Sequence, residues 1–258
     1  MSSTPPPVFR VHASPSSAAE ALVDFICDEA DASIAARGKF SLALSGGSVA
    51  TAIPAALDAA VARGRVLRTV DWVIFYADER LVPASDAASN HGTTLRAIER
   101  FDWWRARAVP VDTSLPHDAA ATAYEAALVH EVGARGVLDV VVLGLGPDGH
   151  TASLFPGHAL LAESARLVAS LDDSPKQPPT RVTLTLPTLR AARNVTFFAA
   201  GADKADMLAR VAIAHPTDVD APPSARVYAA DGARPSIFYV DQAAANALSE
   251  EARARTVS

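Results

Sequence analysis

The stretch LDVVVLGLGPDGHTASLFPGH, residues 138–158, decides the reading of this chain. Leu138 to Leu143 is a short, nearly continuous apolar run rich in valine, the pattern of a parallel strand buried on both faces. It runs into Gly144, Gly146 and Gly149, with Asp148 and His150 set among them. In open α/β sheets, ligands bind beyond the carboxyl ends of the strands, which is where this polar pair falls. Histidine is the one side chain whose unperturbed pKa lets it exchange protons near neutrality. A buried strand that delivers Asp-Gly-His to such a crevice reads as a catalytic segment. The plainer alternative is a tight strand-to-helix turn with a surface histidine.

Gly144-Leu-Gly146-Pro-Asp-Gly149 also satisfies the dinucleotide pattern G-x-G-x-x-G, with Asp172 and Asp173 beyond it. Three features argue against a nucleotide. Asp148 puts a carboxylate where a pyrophosphate would sit. Pro156-Gly157 cuts the expected following helix to about a turn and a half, where the fingerprint needs a full crossover helix. The strand also lies in mid-chain rather than opening a βαβ unit.

A chain of 258 residues, 50% hydrophobic, can bury a large core and reads as one domain over residues 1–258. No apolar stretch approaches the ~20 residues that cross a bilayer, and MSSTPPPVFRVHASPSS lacks the apolar core of a secretory signal. The lone cysteine, Cys27, excludes an internal disulfide and fits a reducing cytoplasm; beside Leu22, Phe25 and Ile26 it reads as a small core residue. The net charge of −6 without a basic cluster argues against nucleic acid. Seven histidines without ligand spacing such as H-E-x-x-H indicate neither metal nor cofactor.

Strand-like runs recur at Phe40–Leu44, Trp72–Tyr76, Arg181–Leu186, Val195–Ala199 and Ile237–Val240. Helical stretches alternate with them at Ala18–Arg37, Ala50–Ala62, Ala119–Val132 and Lys204–Ala214. The alternation predicts an α/β fold, a mostly parallel Rossmann-like sheet with helices on both faces. Arg181–Leu186 alternates polar and apolar residues, so it should turn one face to solvent or to the site. Proline-rich Ser174–Thr180 and His215–Ser224 read as loops.

Four more segments bring polar groups to strand ends. Ser45-Gly46-Gly47-Ser48 follows a strand and opens a helix, where glycines admit a ligand to the backbone and the first N–H groups attract an anion. Such a loop also serves simply to turn the chain. Asp78-Glu79-Arg80 ends a buried strand, and these charges must pair with one another or serve a ligand. Arg181 opens one strand and Lys204 follows the end of another, so the two are candidates for a phosphate clamp.

Taken in order, these residues resemble the glucosamine-6-phosphate isomerase/6-phosphogluconolactonase family, and the lactonases within it. The resemblance runs from Leu42-Ala-Leu-Ser-Gly-Gly-Ser48 through Asp78-Glu79-Arg80-x-Val82-Pro83 and Ser89-Asn90. It continues through Gly144-x-Gly146-x-Asp148-Gly149-His150-Thr-Ala-Ser-Leu-Phe-Pro156 to Arg181-Val-Thr-Leu-Thr and Gly201-x-x-Lys204. Val49-Ala50 stands where the family usually has Thr-Pro, and His91 where it usually has tyrosine.

The resemblance implies hydrolysis of 6-phospho-D-glucono-1,5-lactone, a phosphorylated sugar lactone, in the oxidative pentose phosphate pathway. It implies His150 as general base, Asp148 orienting the imidazole or fixing the loop, and Arg80 stabilising the oxyanion or holding the lactone. Ser45, Gly46, Gly47, Ser48, Asp78, Asn90, Arg181 and Lys204 would bind substrate. The protein is then expected in the cytoplasm as a monomer or weak homodimer. The nearest alternative is an amino-sugar-phosphate isomerase or deaminase of the same fold. That group generally has tyrosine after the acidic pair and Ile-Ala-Phe-Asn after the histidine, where this chain has Arg80 and Thr151-Ala-Ser-Leu-Phe-Pro156. A non-catalytic sugar-phosphate sensor would not need His150.

Overall fold

Residues 40 to 44, FSLAL, are buried without exception, and a strand covered on both faces needs helices above and below it. The computed structural model describes residues 5–228 and 234–255. In chain order its elements are β1 (Val8–His12), α1 (Pro15–Arg37), β2 (Phe40–Leu44), α2 (Ser48–Ala62), β3 (Trp72–Tyr76), β4 (Asp78–Arg80), α3 (Asn90–Ile98), β5 (Arg107–Ala108) and α4 (His117–Val132). There follow β6 (Val140–Gly144), β7 (Val168–Leu171), β8 (Arg181–Leu184), α5 (Leu186–Ala191), β9 (Asn194–Ala199), α6 (Ala205–Ile213), β10 (Ile237–Asp241) and α7 (Glu250–Ala254).

Seven strands form one sheet in the order β1-β10-β9-β6-β2-β3-β5, and every neighbouring pair is parallel. Alternate residues feed two cores. Phe40, Leu42, Trp72, Ile74 and Val142 pack with Leu22, Ile26, Ile53 and Leu57 of α1 and α2. Ala43, Phe75, Val141, Leu143 and Phe197 pack with Tyr124, Leu128 and Leu208 of α4 and α6. Each fully buried side chain of this size contributes roughly 1.5–3 kcal/mol. α1 is bounded by local chemistry: Ser14 and Ser17 form a capping box, Pro15 opens the helix, and Gly38 closes it at φ 76°. Among the described residues, no helix is long and apolar enough to cross a membrane.

Two expectations change. Arg181–Leu186 does not join the parallel sheet. Its strand ends at Leu184 and pairs antiparallel with β4 and β7 in a separate three-stranded sheet, while Leu186 opens α5. Both faces of β8 are covered. One residue, Ala77, links β3 to β4: its N–H donates to the Leu44 carbonyl (2.8 Å) and its carbonyl accepts from the Leu184 N–H (2.8 Å). Nor does a short helix follow His150. Thr151 and Leu154 close a turn on each other's backbone, Ala152 takes φ 49°, and the Ser153 N–H goes to Thr183 Oγ1 (3.2 Å). The side-chain acceptor at Thr183 satisfies a donor that a helix would otherwise have to place.

Cys27 lies on α1, 1% exposed. Burial pushes its thiol up to about 12, with Asp24, Asp31 and Asp28 outweighed in part by Arg65. At pH 8 about one such thiol in 10,000 is ionised, against roughly a quarter for a free cysteine. Labelling of the native protein by Ellman's reagent should therefore run at least about 1,000-fold slower than in denaturant; comparable rates would mean that α1 is not packed as described.

Candidate active site

β2 and β6 are neighbours in the sheet, yet the chain leaves them in opposite directions, toward β3 and toward β9. The loops beyond them diverge and leave a crevice, the position where such sheets take ligands. A cleft of about 230 Å³ lies there, walled by Ser45–Ser48, Asp78, Arg80, His150 and Lys204.

The floor of the cleft is a glycine turn. Ser45 N–H still continues the sheet, donating to Val142 O (3.0 Å). Gly47 then takes φ 62°, and α2 begins at Ser48, so that the N-terminal end of the helix lines the cleft. A Cβ on Gly46 would run into the Asn90 carboxamide. Ser45 Oγ is buried and has no hydrogen-bond partner, although a buried hydroxyl ordinarily finds one. A helix N-terminus beside an unpaired hydroxyl suits an anionic oxygen.

Across from it stands the acid–base pair. The 146–150 loop closes on itself through Gly146 N–H to His150 O (2.9 Å) and Gly149 N–H to Gly146 O (2.9 Å). Asp148 Oδ1 meets His150 Nδ1, and the ring stacks on Phe155 with centroids 4.9 Å apart. Burial holds the His150 imidazole below its ordinary pKa, against the Asp148 hydrogen bond and charge, which pull it up. Burial works against the Asp148 charge, but the His150 hydrogen bond and the charges of His150 and Lys176 outweigh it, so its carboxyl lies below the usual range. At neutral pH the pair is a carboxylate beside a neutral imidazole, the state a general base requires.

The acidic pair divides. Glu79, 1% exposed, accepts the N–H groups of Arg80, Asn90 and His91 (each 2.8 Å) and the Ser89 hydroxyl (3.3 Å). Burial pushes its carboxyl above the usual range against the pull of these N–H groups, and it sits at the N-terminus of α3, which it ties to β4. Asp78 faces the cleft and accepts from Ser153 Oγ (2.7 Å) and Asn90 Nδ2 (3.3 Å). Asn90 braces the glycine turn and Asp78 from behind rather than lining the cleft. Arg80 donates to Ala88 O (2.8 Å) and leaves Nε buried with no hydrogen-bond partner, 3.9 Å from Asp78. Lys204 lines the cleft, with Nζ 2.8 Å from Asp203.

Arg181 does not converge with Lys204. Its side chain is 2% exposed, and the guanidinium donates to the carbonyls of Pro178 (2.9 Å), Lys176 (2.8 Å) and Gln177 (3.4 Å). A buried guanidinium must satisfy its N–H groups inside the protein, and the preceding loop supplies the acceptors. That loop brings in a residue the sequence reading left in a plain loop: Lys176 Nζ lies 3.2 Å from His150 Nδ1 and 3.5 Å from Asp148 Oδ1. Its signal was a lysine among prolines directly before the Arg181 strand. Among the described residues, no three His, Cys, Asp or Glu side chains group so as to hold a metal ion.

Comparison with known proteins identifies the family of the chain. The family model described as glucosamine-6-phosphate isomerases/6-phosphogluconolactonase matches residues 13–235. The chain is 37% identical over 253 residues to a 6-phosphogluconolactonase of Rattus norvegicus, covering 96% of each. It is 39% identical over 215 residues to one of Homo sapiens, covering 82% of this chain and 83% of that one. The solved structure of 6-phosphogluconolactonase from Trypanosoma cruzi superposes with a TM-score of 0.78 at 30% identity, covering 96% and 98%.

A Cβ on Gly146 would occupy the place of the His150 ring and the Asp148 carboxylate. Gly146→Ala should part the two side chains. Because Asp148 holds the His150 pKa up, the His150 titration followed by NMR should move to lower pH, with a melting temperature within about 5 °C of the parent. An unchanged titration would mean that the pair is not coupled.

Proposed function

Because this chain belongs to the glucosamine-6-phosphate isomerase/6-phosphogluconolactonase family, we propose that it hydrolyses 6-phospho-D-glucono-1,5-lactone to 6-phospho-D-gluconate. The observation that carries this reading is the His150 imidazole, paired with Asp148, in one cleft with a helix N-terminus and two cations. The 37% identity to a named lactonase over nearly the whole chain supports it.

His150 takes a proton from water at the ring nitrogen not engaged by Asp148, as the water oxygen bonds to the lactone carbonyl carbon. Arg80 faces the negative charge that gathers on the carbonyl oxygen. The carbon–ring oxygen bond then breaks, and His150 returns the proton to the ring oxygen. A δ-lactone is an activated ester, so no covalent enzyme intermediate is needed. Asp148 fixes the tautomer of the imidazole. The Ser45–Ser48 turn and Lys204 hold the phosphate, which anchors the reacting end of the sugar. Asp78 and Asn90 support this wall; Arg181 acts from beneath it.

The protein is assigned to the cytoplasm and to a monomer or weak homodimer, with residues 1–258 as one lactonase domain. The same-fold deaminase is disfavoured by Arg80 and the Thr151–Pro156 segment; ammonia release from glucosamine 6-phosphate should be absent.

His150→Ala should lower kcat on freshly generated lactone by ~100- to 10,000-fold after subtraction of spontaneous hydrolysis. Near-normal kcat would end the general-base role, and intact substrate binding with no turnover in the parent would favour a sensor. Lys204→Ala should cost about ten- to a hundredfold in kcat/KM on the phosphorylated lactone and little on unphosphorylated gluconolactone. Equal losses on both would remove Lys204 from the phosphate site.

A further inference from the structure

The loop between β7 and β8 is held more tightly than loop closure demands. Ser174 Oγ donates to Lys176 O (2.9 Å) and accepts the Lys176 N–H (3.2 Å), while Ser174 N–H reaches Pro179 O (3.2 Å). Arg181 then takes three successive carbonyls, those of Lys176, Gln177 and Pro178. The same guanidinium is tied to the cleft wall through Ser153 Oγ (3.4 Å) and Asp78 (3.9 Å), and it lies over the Phe155 ring at 5.6 Å. Phe155 is the ring on which His150 stacks. One buried cation therefore fixes both the backbone of Lys176 and the platform under His150.

The lysine that this loop delivers lands on the acid–base pair. Its ammonium is 3.5 Å from the Asp148 oxygen that meets the imidazole, and 3.2 Å from the imidazole nitrogen itself. We propose that Lys176 is a positioning residue that acts on the hydrolysis through His150, its ammonium opposing a positive charge on the ring and so keeping the imidazole free to take a proton, with Arg181 as its buried anchor. This rests on the lactone reading above. Where the Asp148 carboxylate accepts the Nδ1 proton, the other ring nitrogen carries the lone pair, and the ammonium, with three donors and no acceptor, faces Nδ1–H as a like charge rather than as a hydrogen-bond partner.

The charges facing His150 come from three elements: Asp148 from its own loop, Asp78 from β4, and Lys176 from the 174–179 loop; Arg80 and Lys204 line the same cleft. Asp148 and Asp78 favour protonation of the ring, whereas burial and Lys176 oppose it. Removing the ammonium must then move the His150 titration upward.

The test is an NMR titration of His150 in the free parent, Lys176→Met and Lys176→Arg proteins, beside the pH profile of kcat/KM on the phosphorylated lactone. Lys176→Met should titrate at higher pH, shift the acidic limb of kcat/KM in the same direction, and lose on the order of tenfold in kcat/KM at pH 6 with little change in KM. Lys176→Arg should restore most of both. A His150 titration in Lys176→Met that coincides with the parent, or Lys176→Arg no better than Lys176→Met, overturns the proposal. A parent that does not hydrolyse the lactone, with the NMR shift still present, overturns the lactone reading and leaves the Lys176–His150 coupling standing.

Discussion

A guanidinium withdrawn from water must be met by acceptors on every side, and the site is built around the way Arg181 meets that demand. Its partners are the carbonyls of residues 176 to 178, the Ser153 hydroxyl and the Asp78 carboxylate. These come from three separate segments: the β7–β8 loop, the turn after His150, and β4. Of the three, the turn after His150 buries large apolar side chains, Leu154 and Phe155, while the other two meet at the guanidinium mainly through polar groups. A buried charge left unpartnered costs several kcal/mol, so the segments are held together by the penalty for parting them. The hydrophobic cores position the two sheets; this one cation positions what stands on them.

The site is thereby divided between two scaffolds. The parallel sheet carries the glycine turn, the Asp148–His150 loop and Lys204, all at strand ends in its crevice. The small antiparallel sheet carries Asp78, Arg80 and, through Arg181, Lys176. In the proposed mechanism, anion binding and proton transfer sit on the first, and the charges that tune them sit largely on the second. Such a division lets the electrostatics of the imidazole be adjusted without disturbing the strands that carry it.

The parallel sheet was legible in the sequence because strands covered on both faces leave continuous apolar runs, as in Phe40–Leu44 and Trp72–Tyr76. The crevice followed from it, with Ser45–Ser48, Asp148, His150 and Lys204 brought together as read. The small sheet was not legible. Three residues, Asp78-Glu79-Arg80, carry too short a pattern to announce a strand, and they pair with residues about a hundred positions away. Arg181 was misplaced for a related reason: its acceptors are backbone carbonyls, which any residue supplies and no motif marks. Glu79 read as a charge that pairs with its neighbours or serves a ligand, whereas it accepts the first N–H groups of α3, which the sequence leaves equally unmarked.

The single residue between β3 and β4 has a consequence for what this fold tolerates. Side chains alternate along a strand, so Asp78 and Arg80 share the face that lines the cleft while Glu79 turns to the start of α3. Ala77 is bonded to both sheets and allows no slack. Adding or deleting one residue there would slip the register and turn all three charges over. Glu79 would enter the cleft, the Asn90 and His91 N–H groups that open α3 would lose their carboxylate acceptor, and Arg80 would point toward α3. Length variation is open to descendants of this chain in its surface loops, but the step from Tyr76 to Asp78 is closed to it.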